Sequence, residues 1–325
     1  MSKAIRMYET GGPDVLRWEE VVVAEPGAGE ALIRQTAVGL NYIDIYHRTG
    51  LYPIGDLPAT PGMEGAGEVL ALGEGVTDLQ KGDRVAYAGL PPGAYAEQRL
   101  IPADRLVKLP ETVNDQQAAA MMLQGMTAQY LLRRTYRVKP GDKILLHAAA
   151  GGVGLIACQW AKHLGATVIG TVGSHEKAAV ASAHGCDHPL LYRDEDWVAR
   201  VRELTGGEGV SVVYDSVGKD TFLKSFDCLK PLGLLVSFGQ ASGPVPPIDP
   251  GILAAKGSLF LTRPSLMTYT AKRNDLLDSA RELFAVIASG VVKVEISQTY
   301  PLSQAAQAQR DLEARKTTGS TVLIP

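Results

Sequence analysis

A glycine-rich turn near the middle of the chain is the first feature able to do chemistry. The stretch Lys143-Ile-Leu-Leu-His-Ala-Ala-Ala-Gly-Gly-Val-Gly-Leu-Ile-Ala sets an apolar run, a turn and a helix start in order. Aligned on GxGxxG, its positions are Ala149, Gly151 and Gly154, with alanine in the first slot. The absent side chain at Gly151 lets backbone approach a pyrophosphate, and the one at Gly154 lets helix and strand lie close. The helix start turns N–H donors and positive dipole toward the phosphates. A bare glycine match is weak, but strand, turn, helix and second strand in this order predict a dinucleotide site.

The second strand selects the dinucleotide. It ends in Thr167-Val-Ile-Gly-Thr-Val-Gly-Ser-His-Glu-Lys, and positions 170–174 offer no carboxylate for a ribose 2′-hydroxyl. Ser174 and Lys177 can take a 2′-phosphate instead, by hydrogen bond and by point charge, with Glu176 opposing if it faces the site. The plainer reading makes Ser174 an N-cap and Lys177 a solvated helix residue. NADPH is expected over NADH.

These residues need a scaffold. From residue 143 onward, strand-like runs at 143–147, 167–172, 189–192, 211–214 and 234–238 alternate with segments of helix length. Gly165 follows one helix, Ser174 caps the next and Gly185 ends it. Such alternation implies parallel strands joined by helical crossovers, a doubly wound domain. Residues 1–120 are rich in Gly and Pro, with short strand runs such as 31–38 and 84–88, and read as a mostly β lobe. After Pro264 come a helix over 275–289, a second near 303–315 and a last strand at 321–324. The fold class is α/β: a Rossmann-type doubly wound parallel sheet beside a mostly β catalytic part.

Length and composition agree. A chain of 325 residues is long for one core, and 46% hydrophobic with 21% charged residues is an ordinary globular balance. The net charge is −3 and no run of Lys or Arg exceeds two, so no nucleic-acid partner is expected. Cys158, Cys186 and Cys228 are too widely spaced for a disulfide framework or a thiolate metal site, which suits a reducing cytosol. The first residues carry no secretory h-region. The longest uncharged stretch, 144–161, holds Gly151, Gly152 and Gly154 and reads as buried strand, turn and helix, so no membrane span is expected and the protein is read as cytoplasmic.

Motifs along nearly the whole chain carry a family pattern. They are Gly11-Gly12-Pro13, Gly39-Leu-Asn-Tyr-Ile-Asp, Arg48-Thr-Gly-Leu-Tyr-Pro, Pro61-Gly-Met-Glu-Gly-Ala-Gly, Lys81-Gly-Asp-Arg-Val, His147-Ala-Ala-Ala-Gly-Gly-Val-Gly, Tyr214-Asp-Ser-Val-Gly and Leu323-Ile-Pro. In this the chain resembles the quinone oxidoreductases of the medium-chain dehydrogenase family, the zeta-crystallin-like group, and its bacterial members most closely. The resemblance implies a discontinuous GroES-like catalytic domain, residues 1–122 plus 263–325, around a cofactor domain of 123–262, with an NADPH cleft between them. By position it implies cofactor contacts from Tyr42, Ile43, Asp44, Ile45, Tyr46, Tyr130, Gly152, Val153, Gly173, Ser174, His175, Lys177, Tyr192, Val217, Gly239, Gln240, Ala241, Ser242, Pro264, Ser265, Leu266 and Arg315.

Zinc alcohol dehydrogenases share that scaffold. Where they offer a cysteine ligand this chain has Asn41, and where they offer Gly-His-Glu it has Gly62-Met63-Glu64. Amide and thioether are poor zinc ligands beside thiolate and imidazole, the four-cysteine lobe is missing, and His47 reads as a lone surface or cleft histidine. No metal is expected. A quinone is already electrophilic, so its reduction needs alignment with the nicotinamide and donors for the developing oxyanion. Asn41, Tyr46, Arg48 and Tyr52 are the candidate catalytic donors, with Asp44 orienting them, and Tyr46 and Tyr52 can stack on a flat ring. The plainer reading has these tyrosines packing the β lobe.

Other constellations fall away. Ser, His and Asp are present without a Gly-x-Ser-x-Gly elbow, and Cys158 and His147 read as core residues. The rival activities are an alkenal or enone double-bond reductase on the same scaffold and, from another class, a cofactor-binding structural or RNA-binding protein. In Lys256-Gly-Ser-Leu-Phe-Leu-Thr-Arg-Pro, residues 259–261 read as a last, edge strand. An apolar edge invites pairing with its own copy, so a homodimer through the cofactor-domain edges is expected, as in the resembling family.

Overall fold

The computed structural model describes residues 2–325, and the chain divides into two compact units. The first comprises Met1–Met126, Thr270–Phe284 and Val294–Pro325, and the second comprises Thr127–Tyr269 and Ala285–Lys293. The joints fall at 126/127 and 269/270, where the sequence reading set them at 122/123 and 262/263, and residues 285–293 group with the second unit. Local pairing accounts for two of these differences. Tyr269 stays with the second unit because its ring stacks on Tyr130 at 4.5 Å, and Lys293 because its backbone exchanges two bonds with the Gln159 side chain.

Along the chain, β1 (Ser2–Arg6), β2 (Arg17–Val21), β3 (Glu30–Leu40), α1 (Tyr42–Arg48), β4 (Glu64–Leu72), β5 (Arg84–Ala88), β6 (Gln98–Pro102) and β7 (Val107–Lys108) come first. Helix α2 (Asp115–Tyr130) then runs into a π turn, Leu131–Thr135. Next are β8 (Lys143–His147), α3 (Gly152–His163), β9 (Thr167–Val172), α4 (His175–Ala183), β10 (His188–Leu191), α5 (Trp197–Leu204), β11 (Val210–Asp215) and α6 (Phe222–Ser225). They are followed by β12 (Leu229–Ser237), α7 (Gly251–Ala255), β13 (Phe260–Thr262) and α8 (Leu266–Tyr269). The chain closes with α9 (Arg273–Ala288), β14 (Ile296–Pro301), α10 (Ala305–Glu313) and β15 (Ser320–Ile324).

In the first unit, β14-β15-β3-β4-β5-β7 form a sheet, with β6 also paired to β3, and β1 and β2 form a hairpin of their own. Ala31 and Ile33 of β3 point inward while Glu30 and Arg34 do not, the period-two pattern of a sheet with one buried face. Ile33, Val69, Val85, Tyr87, Tyr95, Ile101 and Leu323 fill that core. The antiparallel register sets Gly39 of β3 opposite Glu64 of β4, next to the start of α1. A Cβ at Gly39 would lie 2.2 Å from Ala119 O and 2.3 Å from Glu64 Oε2, so the position takes only glycine and α2 packs tightly there.

In the second unit, six parallel strands run in the order β10-β9-β8-β11-β12-β13. Numbered from β8 this is 3-2-1-4-5-6, the doubly wound order, whose connections reverse direction between β8 and β11. Those two strands are buried almost throughout and mostly apolar, as expected of parallel strands covered on both faces. Strand β12 begins at Leu229, five residues before the expected 234. Pro231 lacks a donor and Leu232 takes φ 63°, so pairing with β11 breaks between Val210 and Val212 and resumes beyond a bulge.

Candidate functional site

The glycine turn leaves β8 at the point where the sheet reverses. Ala148 adopts φ 55°, Ala149 N donates to Thr171 O at 3.0 Å, and Gly151 becomes the N-cap of α3. A Cβ at Gly151 would meet only Ala148 O, at 3.2 Å, so the turn is open on its outer side. A Cβ at Gly154 would lie 2.4 Å from Ala148 O and 2.6 Å from Ala149 O. The two glycines thus differ, since Gly151 leaves open space beside the turn and Gly154 lets helix lie on loop. Beneath them His147 is buried and satisfied, with Nδ1 2.8 Å from Thr171 Oγ1 and Nε2 3.0 Å from Ser225 Oγ. Burial lowers its pKa. Cys158 lies in the core of α3.

The other expected cofactor positions of this unit gather on the same carboxyl edge of the sheet. Gly152 and Val153 open α3, and Gly173, Ser174, His175 and Lys177 follow β9. Ser174 caps α4, its Oγ accepting from Lys177 N at 3.3 Å, and its hydroxyl holds the exposed Glu176 carboxyl below the usual range. A Cβ at Gly173 would stand 3.4 Å from the Tyr192 ring, so those two positions share one wall. Val217 follows β11, where the buried Asp215 carboxylate accepts from Val217 N at 2.8 Å, Gly218 N at 3.0 Å and Thr221 Oγ1 at 2.9 Å. The loop after β12 is stitched to it: Ser242 N and Oγ both donate to Val217 O at 2.8 Å, and Ala241 N to Ser216 O at 3.1 Å. Gly239 and Gln240 complete that loop, and Gln240 O accepts from Gly243 N.

Arg263 was not anticipated. Its Nη1 donates to Ser237 O, Ser237 Oγ and Gly239 O at 2.9–3.0 Å, fixing a cation beneath the end of β12 and the start of the loop that follows. Its place directly before Pro264 was the available signal. Pro264 and Ser265 lead into α8, where Leu266 is buried. Tyr130, at the end of α2, is buried and stacked on Tyr269, and burial pushes its phenol up. Arg315 belongs to the first unit, just past α10, with φ 59°.

The first unit gathers the four candidate donors and Asp44 around α1. Asn41 is its N-cap, and Asn41 N donates to Asp44 Oδ2 at 2.9 Å, half of a capping box. Tyr95 OH donates to the same oxygen at 3.0 Å, and Gln309 Nε2 reaches Tyr95 OH at 3.4 Å. Asp44 is wholly buried, which pushes its carboxyl up to about 7 against the pull of these bonds. Arg48 is 1% exposed and bonds Glu313 Oε1 at 2.6 Å. Tyr46 and Tyr52 meet edge to face at 5.1 Å, Tyr42 lies 6.3 Å from Tyr46 and bonds Leu312 O at 3.1 Å, and Ile43 and Ile45 complete the helix. Of the five candidate catalytic residues, Tyr52 is half-exposed and the others are buried. His47 is a correction: read as a surface or cleft residue, it is buried, with its ring 6.4 Å from that of Tyr52. Helix periodicity turns positions 44, 45 and 48 inward, and 47 is carried in with them.

At the positions where zinc enzymes hold their ligands, Met63 is buried and the Asn41 amide is committed at both ends. Its Nδ2 donates to Glu64 Oε2 at 2.7 Å and its Oδ1 accepts from Gln124 Nε2 at 3.2 Å. Glu64 also accepts from Leu123 N at 2.7 Å, and burial pushes it up to about 8. Sequence reasoning passed over Glu64, Tyr95, Gln124 and Gln309. A glutamine inside the apolar run Ala118-Ala-Ala-Met-Met-Leu-Gln-Gly-Met was a visible signal.

A doubly wound sheet with a glycine turn at its reversal point, carried by a chain that also folds a mostly antiparallel GroES-type unit, defines a nicotinamide-dependent dehydrogenase. Comparison with known proteins narrows this. Residues 152–280 match the family model of zinc-binding dehydrogenases, and residues 27–111 match that of the alcohol dehydrogenase GroES-like domain. A quinone oxidoreductase of Pseudomonas aeruginosa is 53% identical over 325 residues, all of both chains. The crystal structure of Escherichia coli quinone oxidoreductase complexed with NADPH superposes with a TM-score of 0.98 at 50% identity, covering 99% of this chain and 100% of that one. A 2-haloacrylate reductase of a Burkholderia species is 47% identical over all of this chain and 99% of its own. The chain belongs to the quinone oxidoreductase group of the medium-chain dehydrogenase/reductase family.

Proposed function

We propose that this protein reduces quinone-like small molecules with NADPH and without a metal. The glycine turn at the sheet's reversal point carries the cofactor half of this reading: the room outside Gly151 and the close packing at Gly154 fit a dinucleotide pyrophosphate. Ser174 and Lys177, with no carboxylate among positions 170–174, favour the 2′-phosphate of NADPH. Tyr192, Val217 and the 239–242 loop would line the same edge, with Arg263 bracing the loop. When bound, NADPH supplies one hydride, that is two electrons, to an acceptor. The residues around α1 have the complementary role. Tyr46 and Tyr52 can flank a flat ring, Asn41 and the tyrosine hydroxyls can meet an oxygen that becomes anionic, and Asp44 and Arg48 hold α1 in place.

The donor set does not suit zinc. Asn41 is engaged through both ends of its amide, Met63 offers a thioether, and the acids left nearby, Asp44 and Glu64, already accept bonds within the protein. In assembly we infer a homodimer through β13, supported by Phe260 at 59% exposure on an edge strand. No helix among the described residues is long and apolar enough to cross a membrane, and three buried free thiols suit the cytosol we assign.

A second reading, reduction of an activated C=C bond, draws support from the likeness to a 2-haloacrylate reductase. A panel of quinones, enones and haloacrylates, with NADPH oxidation followed by absorbance, decides between them. Turnover of quinones well above the others is expected. Turnover of enones or haloacrylates with quinones inert would replace the proposal, and no turnover of any class would point to a non-enzymatic role.

A further inference from the structure

The Asn41 amide is one link in a line of four side chains inside the first unit, and every link donates in the same direction. Ser320 Oγ donates to Gln124 Oε1 at 2.7 Å, Gln124 Nε2 to Asn41 Oδ1 at 3.2 Å, and Asn41 Nδ2 to Glu64 Oε2 at 2.7 Å. The members come from β15, α2, the cap of α1 and β4, and none is more than 7% exposed. Glu64 ends the line with its other oxygen held by Leu123 N at 2.7 Å, so Oε2 is the oxygen free to change its role.

The same line has a second self-consistent sense. A half-turn of a side-chain amide exchanges its donor and acceptor ends. With a proton on Glu64 Oε2, that oxygen donates to Asn41 Oδ1, Asn41 Nδ2 donates to Gln124 Oε1, and Gln124 Nε2 donates to Ser320 Oγ. The Ser320 hydroxyl then needs another acceptor, and Ala120 O lies 3.0 Å away. The far end therefore has a partner in either sense. The groups facing Glu64 are Asp44 from α1, the Met122 and Leu123 N–H groups from α2, and Tyr87 from β5, over whose ring the Arg99 guanidinium of β6 lies at 4.9 Å. Among the described residues no cation is paired with the Glu64 carboxyl, so no ion pair among them fixes its proton, and burial holds its titration near pH 8.

We propose that Glu64, Gln124 and Ser320 are positioning residues: they form a reversible hydrogen-bond line whose sense fixes which edge of the Asn41 amide keeps its spare N–H for the substrate oxygen. The inference rests on the reading that Asn41 meets the quinone oxygen. Glu64→Gln locks the reversed sense, because the new amide keeps Leu123 N on its oxygen and must donate to Asn41. Ser320→Ala removes the hydroxyl that meets Gln124 in either sense, as donor in one and acceptor in the other, and Ser320→Thr restores a hydroxyl.

The test is kcat/KM for one quinone against pH, with NADPH affinity by fluorescence as the check that each variant is folded. In the native chain one ionisation near pH 8 should change kcat/KM by a few-fold to about tenfold, the worth of one hydrogen bond. Glu64→Gln should lose that ionisation and stay at the low-pH level throughout. Ser320→Ala should displace the midpoint and Ser320→Thr should bring it back, a pair that decides the matter if Glu64→Gln does not fold. Asn41→Ala separates the two ideas. If it leaves kcat/KM unchanged, the reading of Asn41 fails and the line aims at nothing. If it slows the enzyme while Glu64→Gln and Ser320→Ala keep the native pH profile, the reading stands and the line is only structural.

Discussion

At the scale of single residues, charge and burial set the testable consequences. Lys177 lies half-buried in the first turn of α4, beside the position where NAD enzymes place a carboxylate. Removing its charge should cost NADPH about 1–2 kcal/mol, roughly 5- to 30-fold in Kd, and leave NADH nearly unaffected. Fluorescence titration of Lys177→Ala with both cofactors checks this, and an equal loss for both would refute a 2′-phosphate contact. Asp44 makes a different forecast. Its folded pKa of about 7 stands above the unfolded value of about 3.9. The folded state therefore holds the extra proton, and the stability it contributes is present at low pH and lost as pH rises through about 7. Melting temperature should fall between about pH 4 and about pH 7 in the native chain and fall less in Asp44→Asn. The polar neighbours of Asp44 were not legible in the sequence, which shows Tyr95 and Gln309 without showing what they face. With Asn41 and Met63 at the ligand positions, the purified protein should hold no stoichiometric zinc by elemental analysis and keep its rate in chelator.

Elements were more legible, where burial on both faces writes a plain pattern. Strands β5, β8 and β9 fall on the residues expected from their apolar runs, because a covered strand needs uninterrupted apolar side chains. Helix α1 was not read as a helix: Tyr-Ile-Asp-Ile-Tyr is aromatic and β-branched and has strand propensity. The Asn41 to Asp44 capping bond and the inward face of Asp44, Ile45 and Arg48 override that propensity. The start of β12 was missed because pairing runs around a bulge beside Pro231, and a proline normally marks the end of a run. The strand, glycine turn and helix start were legible in order, as was the close packing at Gly154, which gives an element-scale test. A methyl group at Gly154 would meet two carbonyl oxygens of the preceding turn and push α3 outward. Gly154→Ala should destabilise the fold by about 1–3 kcal/mol and weaken NADPH by about tenfold or more, seen in thermal melts and fluorescence titration. Native affinity in this variant would remove the turn from the cofactor site.

At the scale of the whole molecule, the question is what covers β13. The strand pairs with β12 along one side and ends the sheet. Phe260 is 59% and Leu261 37% exposed, and Leu232, bonded through its N–H to Gly257 O, is 67% exposed. An apolar, unblocked edge is a template for another strand, and soluble proteins rarely leave one bare. A second copy of this chain offers the same strand, and pairing about a two-fold axis closes after two copies, so no fibre grows. The two six-stranded sheets would then run on as one. The turn at Gly151 lies at the end of β8, two strands removed from β12 and three from β13, so breaking the joint should not disturb it. Phe260→Lys places a charge at the centre of each copy's edge and should yield monomers by light scattering at micromolar concentration, with NADPH affinity within about twofold of native. A native chain that runs as a monomer under the same conditions would overturn the assembly, and a Phe260→Lys dimer would move the interface off β13.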